Sequence, residues 1–452
     1  MAYLYRTADW SSSNSTSCVM SMWVKLANPQ STQMGFFLGW GDANNYGTMY
    51  LNNDDHIYYK EKNGGTQYEE QIDARKFRDH NAWYHFFLQW DYTQATASNR
   101  LKIYVNNELM TWSNSGNSLP PQNYSTRLKK NDFRIGTYTH AGSSYSDWKG
   151  LMSHVHFIDD ASYDTYTPST FGSTDSTTGE WKINTSPTIS DYGSQGFFIL
   201  KDNNSGTDQS GKGNNFSTNG TITKTEDNPS NVFATLNPLH YSLNTSRAFS
   251  NGNTYVALGG TARVPEVSTI GMTSGKFYAE MKDISGSGGG SIMGITGQMR
   301  RASAVDYLGS KIYDYAYYSA SGDKINDANE TSFGNSYTDG DIIGVAVDLD
   351  NLKIYFSKNG TWQNSGDPTS GSTGTGAAFT LAAPSSTIDG AYFFACSDDN
   401  QYAERRMAWN FGNGYFQTTA VSSAGTNASN IGIFEYDVPT GYTALSTKGL
   451  NE

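Results

Sequence analysis

The chain has 452 residues, too many for one ordinary hydrophobic core, so two domains are expected. Charged residues make up only 16% of it, and a 14% aromatic content supplies large buryable groups, which excludes a disordered chain. A net charge of −12, from 31 basic and 43 acidic residues, argues against nucleic acid or an anionic membrane as partner.

Tyr, Trp and Phe favour pleated surfaces, and abundant Gly and Asn supply turns, so the expected class is all-β. No apolar stretch reaches spanning length, and "MAYLYRTADWSSS" lacks a basic-then-apolar leader, so no membrane insertion is expected. Cys18 and Cys396 lie far apart and make no disulfide framework, which fits folding in a reducing cytosol. The short basic run "RLKK" (127–130) reads as a solvated turn.

In chain order, "SCVMSMWVKL" alternates Cys18, Met20, Met22, Val24 and Leu26 on one side, with a partly polar other side. "MGFFLGWG" and "GTMYLNNDDHIYY" read as strands with an Asn-Asn-Asp-Asp turn. "NAWYHFFLQWDY" puts Phe86, Leu88 and Trp90 on one face, and "RLKIYVNNELM" is a hairpin turning at Asn106-Asn107. "FRIGTY", "WKGLMSHVHFID", "WKINTS" and "GFFILKD" supply further strands. Aliphatic content then collapses, which places a linker at 217–237 between a first domain (1–216) and a second (238–418), with a C-terminal extension (419–452) packing on the sandwich or on a partner.

Strands resume with "YVALGG", "GKFYAEMKDI", "GGSIMGIT", "YDYAYYSA", "DIIGVAVDLDNLKIYFSKNGTW", "GAYFFAC" and "RMAWNFG". Val345, Val347 and Leu349 share one parity, and Leu352, Ile354 and Phe356 another across a bend at Asp350-Asn351. The tetrapeptide "LKIY" occurs in both halves, each time after an apolar strand and before an Asn-containing turn and a Trp. No three-turn helical pattern occurs, so the expected architecture is two tandem antiparallel jelly-roll β-sandwiches.

The second half resembles a SPRY domain through roughly 245–418. The resemblance lies in "SGKFYAEMKD", in Asp339-Gly340-Asp341, Gly344 and Asp348 leading to the Lys358-Asn359-Gly360 turn, in "GAYFFAC", and in "MAWNFGNGYF". The first half resembles a concanavalin A-like, laminin G-type sandwich in "SMWVK", "WYHFFLQWD", "NRLKIYVNNEL" and "WKGLMSHVHFID". "TDQSGKGNNF" (207–216) is similar to a "DxSGxGN" turn common in such proteins, but it follows the sandwich here instead of opening it. The tandem resembles structural proteins of marine tailed bacteriophages. That implies a virion component (fibre, knob or capsid decoration), made in the bacterial cytoplasm, homo-oligomeric, with capsid or tail proteins as partners.

The concanavalin class includes glucanases, and a retaining glycosidase needs two carboxylates about 5–5.5 Å apart. Its E-x-D-x(1–2)-E pattern is approached only by Glu435 and Asp437 in "FEYDVPTG", where no third acid follows and Pro439 breaks the strand. "SGSGGGS" (285–291) has neither a nucleophile elbow nor a phosphate-loop Lys, so no enzyme is expected. His154 and His156 would need His85 or Asp159 to hold a metal, and read better as a polar sheet face. No cofactor is required; calcium would suit the oxygen-rich loop of Asp202, Asn204, Asp208 and Asn214.

Glycan contact asks for an aromatic platform beside polar loop residues. "GWGDANNYG" offers Trp40, Asp42, Asn44, Asn45 and Tyr46; "THAGSSYSDW" offers His140, Tyr145, Asp147 and Trp148. In the second domain, Arg300, Arg301, Asp306 and Tyr307 lie in a loop where SPRY domains commonly bind partners. The expected function is non-enzymatic attachment to host-surface glycans, with pure structural decoration and a carbohydrate-active enzyme as alternatives.

Overall fold

The computed structural model describes residues 2–7, 16–27, 34–42, 44–72, 75–113, 119–126, 128, 132–140, 143–159, 163–201, 206–240, 242–243, 246–259, 262–287, 289–399 and 404–451. They form two compact units, Met1–Lys224 and Thr225–Glu452, each a β-sandwich of antiparallel sheets. The α-helix among the described residues is the four-residue Pro168–Phe171.

In the first unit one sheet runs Trp112–Ser113, Thr66–Ile72, Ile57–Asn63, Asn45–Leu51, Met34–Asp42, Asp132–Ile135, Tyr3–Thr7, Ser217–Asn219. The facing sheet runs Phe197–Ile199, Leu151–Ile158, Ser17–Lys25, Trp83–Asp91, Leu101–Val105, Glu108–Leu109. Between them lie the alternating residues expected from the sequence: Cys18, Met20, Met22 and Val24, then Phe86, Leu88 and Trp90, then Leu101, Ile103 and Val105. The "DxSGxGN"-like turn brings the last strand of this unit back beside the first, Tyr3–Thr7, which accounts for its place after the sandwich.

The other side of Ser17–Lys25 is not a solvated polar face. Val19, Phe87, Ile158 and Phe198 pack beneath Tyr166, Phe171 and Tyr192 of a covering segment, residues 163–192. The polar face expected at His154 and His156 is corrected accordingly. His156 is buried here and stacks on Phe198 with centroids 3.8 Å apart. A register shift between Ser153 and His156, with His154 at φ 49°, ends the simple alternation of the two histidines.

In the second unit one sheet runs Ala248–Ser250, Tyr255–Leu258, Glu404–Asn410, Lys276–Ser287, Ile342–Asp348, Lys353–Lys358, Thr361–Trp362. The other runs Glu266–Val267, Phe393–Asp398, Ser291–Thr296, Asp314–Tyr318, Asp323–Asn326, Asn329–Ser332. Asn359 and Gly360 close the Lys353–Lys358 hairpin at φ 48° and 78°, both in the left-handed region such a two-residue turn requires.

Residues 217–237, read from sequence as a linker, are structured. Ser217–Asn219 is a strand of the first unit, whereas Phe233, Ala234 and Leu236 are buried in the second. The C-terminal extension lies on its own sandwich. Thr443–Ala444 pairs in parallel with Lys276–Ser287, and Phe434, Val438 and Tyr442 cover Tyr278 and Tyr355 on the sheet's outer face.

Candidate functional site

The first candidate loop, "GWGDANNYG", is mostly strand. Trp40 pairs with Tyr46 and Asp42 with Asn45, so the chain turns around a short tip that leaves Asn44 exposed. Tyr46 is fully buried and therefore offers no platform. Gly39 fits because a Cβ there would come within 2.3 Å of the Leu128 backbone. The side chains of Trp40 and Asp42 lie outside the described residues, as do those of His140 and Tyr145 in the hairpin Thr137–His140/Ser143–Asp147. Trp148 turns inward: its ring centroid is 4.5 Å from that of Phe36, and Nε1 donates to the Leu151 carbonyl at 3.2 Å.

In the loop proposed for calcium, Asp202 and Asn204 lie outside the described residues. The Asp208 carboxylate accepts from the Phe198, Ser210 and Asn214 amides at 2.8–2.9 Å, and Asn214 Nδ2 donates to the Ser194 and Gly196 carbonyls. Asp208 thus organises the turn's own backbone, and both side chains tie the turn to the backbone of residues 194–198. Among the described residues, no three His, Cys, Asp or Glu side chains gather as a metal would need.

Ser21 and His85 have the spacing of a nucleophile and base, with Oγ and Nε2 2.9 Å apart. Trp181 Nε1 donates to His85 Nδ1 at 3.1 Å, so Nδ1 holds the lone pair and Nε2 carries the ring proton. Such a tautomer donates to Ser21 and cannot take its proton, and both residues are buried. Burial pushes His85 down to about 3. Among the buried carboxyls, Glu266 and Glu280 are pushed up to about 7 by burial, yet each is engaged internally. Glu266 pairs with Arg247 at 2.6 Å, and Glu280 accepts from the Glu435 and Tyr436 amides at 2.9 Å.

The SPRY-like loop is where the sequence candidates do assemble. Residues 297–313 leave Ser291–Thr296 and return at Asp314, whose carboxylate anchors them. Arg301 Nη2 reaches it at 2.7 Å, Thr296 Oγ1 at 2.8 Å, and the Gly309 and Lys311 amides at 3.0 and 3.1 Å. Burial pushes the Asp314 carboxyl up, with Arg301 opposing. Asp306 is largely buried and pairs with Lys311 at 2.9 Å; Tyr307 lies under the Arg263 guanidinium at 5.2 Å. Arg300 is exposed. Asp306 and Arg301 therefore brace the loop, while Arg300 and part of Tyr307 face outward.

Two further loops are tied to this one. His240 Nε2 lies 3.1 Å from the Met299 carbonyl, and the Met299 amide donates to Asp389 at 2.5 Å. On this rim Leu239, Val305, Ile312 and Ile388 are exposed, Ile388 to 68%. Sequence reading missed all four, because an aliphatic residue in a loop has no periodicity that tells exposure from burial.

Residues 4–164 match the concanavalin A-like lectin/glucanases superfamily (laminin G type), and residues 277–382 match the SPRY domain. No curated protein matches the chain. Among solved structures, the SPRY domain of human HERC1 is 17% identical, with 36% of this chain and 91% of that chain covered at a TM-score of 0.29. Stonustoxin is also 17% identical, with 39% and 27% covered at 0.28, and a human SPRY domain is 17% identical, with 34% and 90% covered at 0.25. The chain carries a concanavalin A-like, laminin G-type sandwich followed by a SPRY domain.

Proposed function

We propose that the chain is a non-enzymatic recognition protein of a tailed-phage virion, and that the rim of its SPRY unit takes a protein partner, a neighbouring capsid or tail subunit. The observation that carries this is the rim itself: exposed Leu239, Val305, Ile312 and Ile388 on three loops, one braced by a buried ion pair and the other two hydrogen-bonded to it at Met299. Exposed aliphatic side chains on a pre-set scaffold lose little entropy on docking, which favours protein contact over solvation. The non-enzymatic part is supported by the buried, internally engaged acids and by the tautomer of His85. The virion setting rests on the resemblance of this tandem to structural proteins of tailed bacteriophages. Homo-oligomeric copies would multiply weak contacts by roughly two to four orders of magnitude. Glycan contact through the first unit would fall to Trp40, His140 and Tyr145, since Tyr46 and Trp148 pack inward.

The test is binding of the full chain to purified particles of the phage that encodes it and to glycan arrays. Saturable particle binding, weakened at least roughly tenfold by Ile312→Glu with Ile388→Glu and unchanged by Trp148→Phe, is the expected result. Glycan binding that survives the double change would move the surface to the first unit. Turnover of any polysaccharide would overturn the non-enzymatic reading.

A further inference from the structure

Two buried histidines on the outer face of the first unit's six-stranded sheet have no part in that recognition surface. His85 lies between the rings of Trp23 and Trp181, at 4.9 and 6.0 Å and tilted by less than 20°. Both of its nitrogens are engaged, Nδ1 by Trp181 and Nε2 by Ser21. His156 stacks on Phe198, and its Nδ1 meets the Tyr192 hydroxyl at 2.8 Å. Trp181 and Tyr192 belong to the covering segment, as does Phe171, whose ring centroid lies 6.3 Å from that of His85 and 5.0 Å from that of His156. Thus two of the segment's polar ties to this face run through imidazoles held neutral, beside those of Tyr163 to Asp91 and Ser17 and of the Tyr192 carbonyl to the Asp159 amide.

We propose that residues 163–192 form an acid-released strap: proton uptake by His85 and His156 lifts it from the sheet and uncovers Val19, Trp23, Phe87, Ile158 and Phe198. A second proton on His85 can go only to Nδ1, which then faces the Trp181 N–H donor to donor. Indole faces attract a cation, but the closed site is shut off from solvent, and burial dominates. For His156, burial is reinforced by His154, His85 and Lys201, all of which oppose a positive charge.

Of the carboxylates nearby, Asp159, just past Leu151–Ile158, is buried beside the Arg6 guanidinium, and the others are held by other partners or exposed. On Trp83–Asp91, Asp91 accepts from Thr93 and Gln94; on the strap, Asp175 pairs with Lys182 at 2.8 Å and Asp191 with Lys212 at 2.6 Å. Asp164 and Glu180 of the strap are exposed, Tyr163 leans on Asp91, and Ser17–Lys25 adds only Lys25. The closed strap therefore excludes both protons that the open one accepts. Its opening constant rises as pH falls below about 6.5, by up to roughly tenfold per pH unit for each histidine.

Hydrogen exchange of the full chain, corrected for intrinsic rates, reads this directly. Between pH 7 and pH 5, protection across 163–192 is expected to fall on the order of 10²-fold or more and to lie far below that of Ser17–Lys25 and Trp83–Asp91, which exchange only as the whole unit unfolds. The double variant His85→Gln/His156→Gln is expected to lose the pH dependence. Should that variant fail to fold, the wild-type slope still decides: a strap slope near two protons per opening supports the proposal. Strap protection unchanged at pH 5, or no lower there than that of the two strands, overturns it.

Discussion

Glu280 and Glu61 are acids buried at 0% exposure, and each is held by donors from its own unit. Glu280 accepts from the Glu435 and Tyr436 amides, from the Tyr278 hydroxyl at 3.1 Å and from Asn410 Nδ2 at 3.1 Å. Glu61 accepts from Tyr59, from the Tyr92 hydroxyl at 2.8 Å and from Thr126 Oγ1 at 2.8 Å. Removing the acceptor and leaving the donors is the costly change, because buried backbone amides have nowhere else to turn. Glu280→Leu is therefore expected to destabilise by about 3–5 kcal/mol, and Glu280→Gln, which keeps one oxygen, by about 1–3 kcal/mol. Urea denaturation checks the order; a leucine variant as stable as the glutamine one would mean the tail is not anchored there. Glu61 also illustrates why an acid on a concanavalin-type strand is no sign of catalysis. It points between the sheets, at 0% exposure.

The repeated "LKIY" marks one kind of element in both units. Leu101–Val105 pairs antiparallel with the strand before it, turns at Asn106-Asn107 and pairs with Glu108–Leu109; Lys353–Lys358 does the same, turning at Asn359-Gly360 into Thr361–Trp362. Ile103 and Ile354 point into the cores, while Tyr104 and Tyr355 point to outer faces. Gly360→Ala would put a Cβ 2.6 Å from the Tyr436 ring at φ 78°, so a loss of about 1–3 kcal/mol is expected. Asn107→Ala, at φ 69° in an exposed turn, should cost about 1 kcal/mol, and thermal melts compare the two. These strands and turns were legible because alternation and paired Asn or Gly carry the geometry locally. The outer covers were not. Residues 163–192 and 425–444 scatter single aromatics among Ser, Thr and Gly, with no period to show that Phe171, Tyr192, Phe434 or Tyr442 is buried. For the same reason, a strand face that reads as half-polar, such as Ser21 and Lys25, proved to be covered. On the SPRY rim, Arg301 and Asp306 were legible as charged loop residues, but only their ion pairs separate a brace from a contact.

At the scale of the whole chain, the two units are built with opposite proton preferences. The first buries His85, pushed down to about 3, and His156, pushed well below its ordinary value, both by burial. Their folded forms bind fewer protons than the unfolded chain below about 6.5, so stability of this unit is lost as pH falls from there toward 3. The second buries Glu266, Glu280 and Asp398, each pushed up to about 7 by burial, against one histidine, His240, pushed down to about 4. Folded carboxyls that hold their protons longer make this unit lose stability as pH rises from the ordinary carboxylate range through 7, and His240 offsets about one of the three. The net slope is on the order of 1–2 kcal/mol per pH unit in each unit, with opposite signs. The two cysteines supply the means to see it. Cys18 is buried in the first unit; Cys396 is buried in the second, where burial pushes its thiol up to about 12 and Trp409 Nε1 lies 3.3 Å from its Sγ. Neither should react with a maleimide until its own unit unfolds. Brief heating followed by maleimide labelling at pH 6.2 and 7.4, with mass spectrometry of the two cysteine peptides, therefore reports each unit separately. Raising the pH is expected to move labelling of Cys18 to higher temperature and that of Cys396 to lower temperature. Movement of both in the same direction would show that the buried acids of the second unit are ionised in the folded state and that the tail amides, not the proton, hold Glu280 in place.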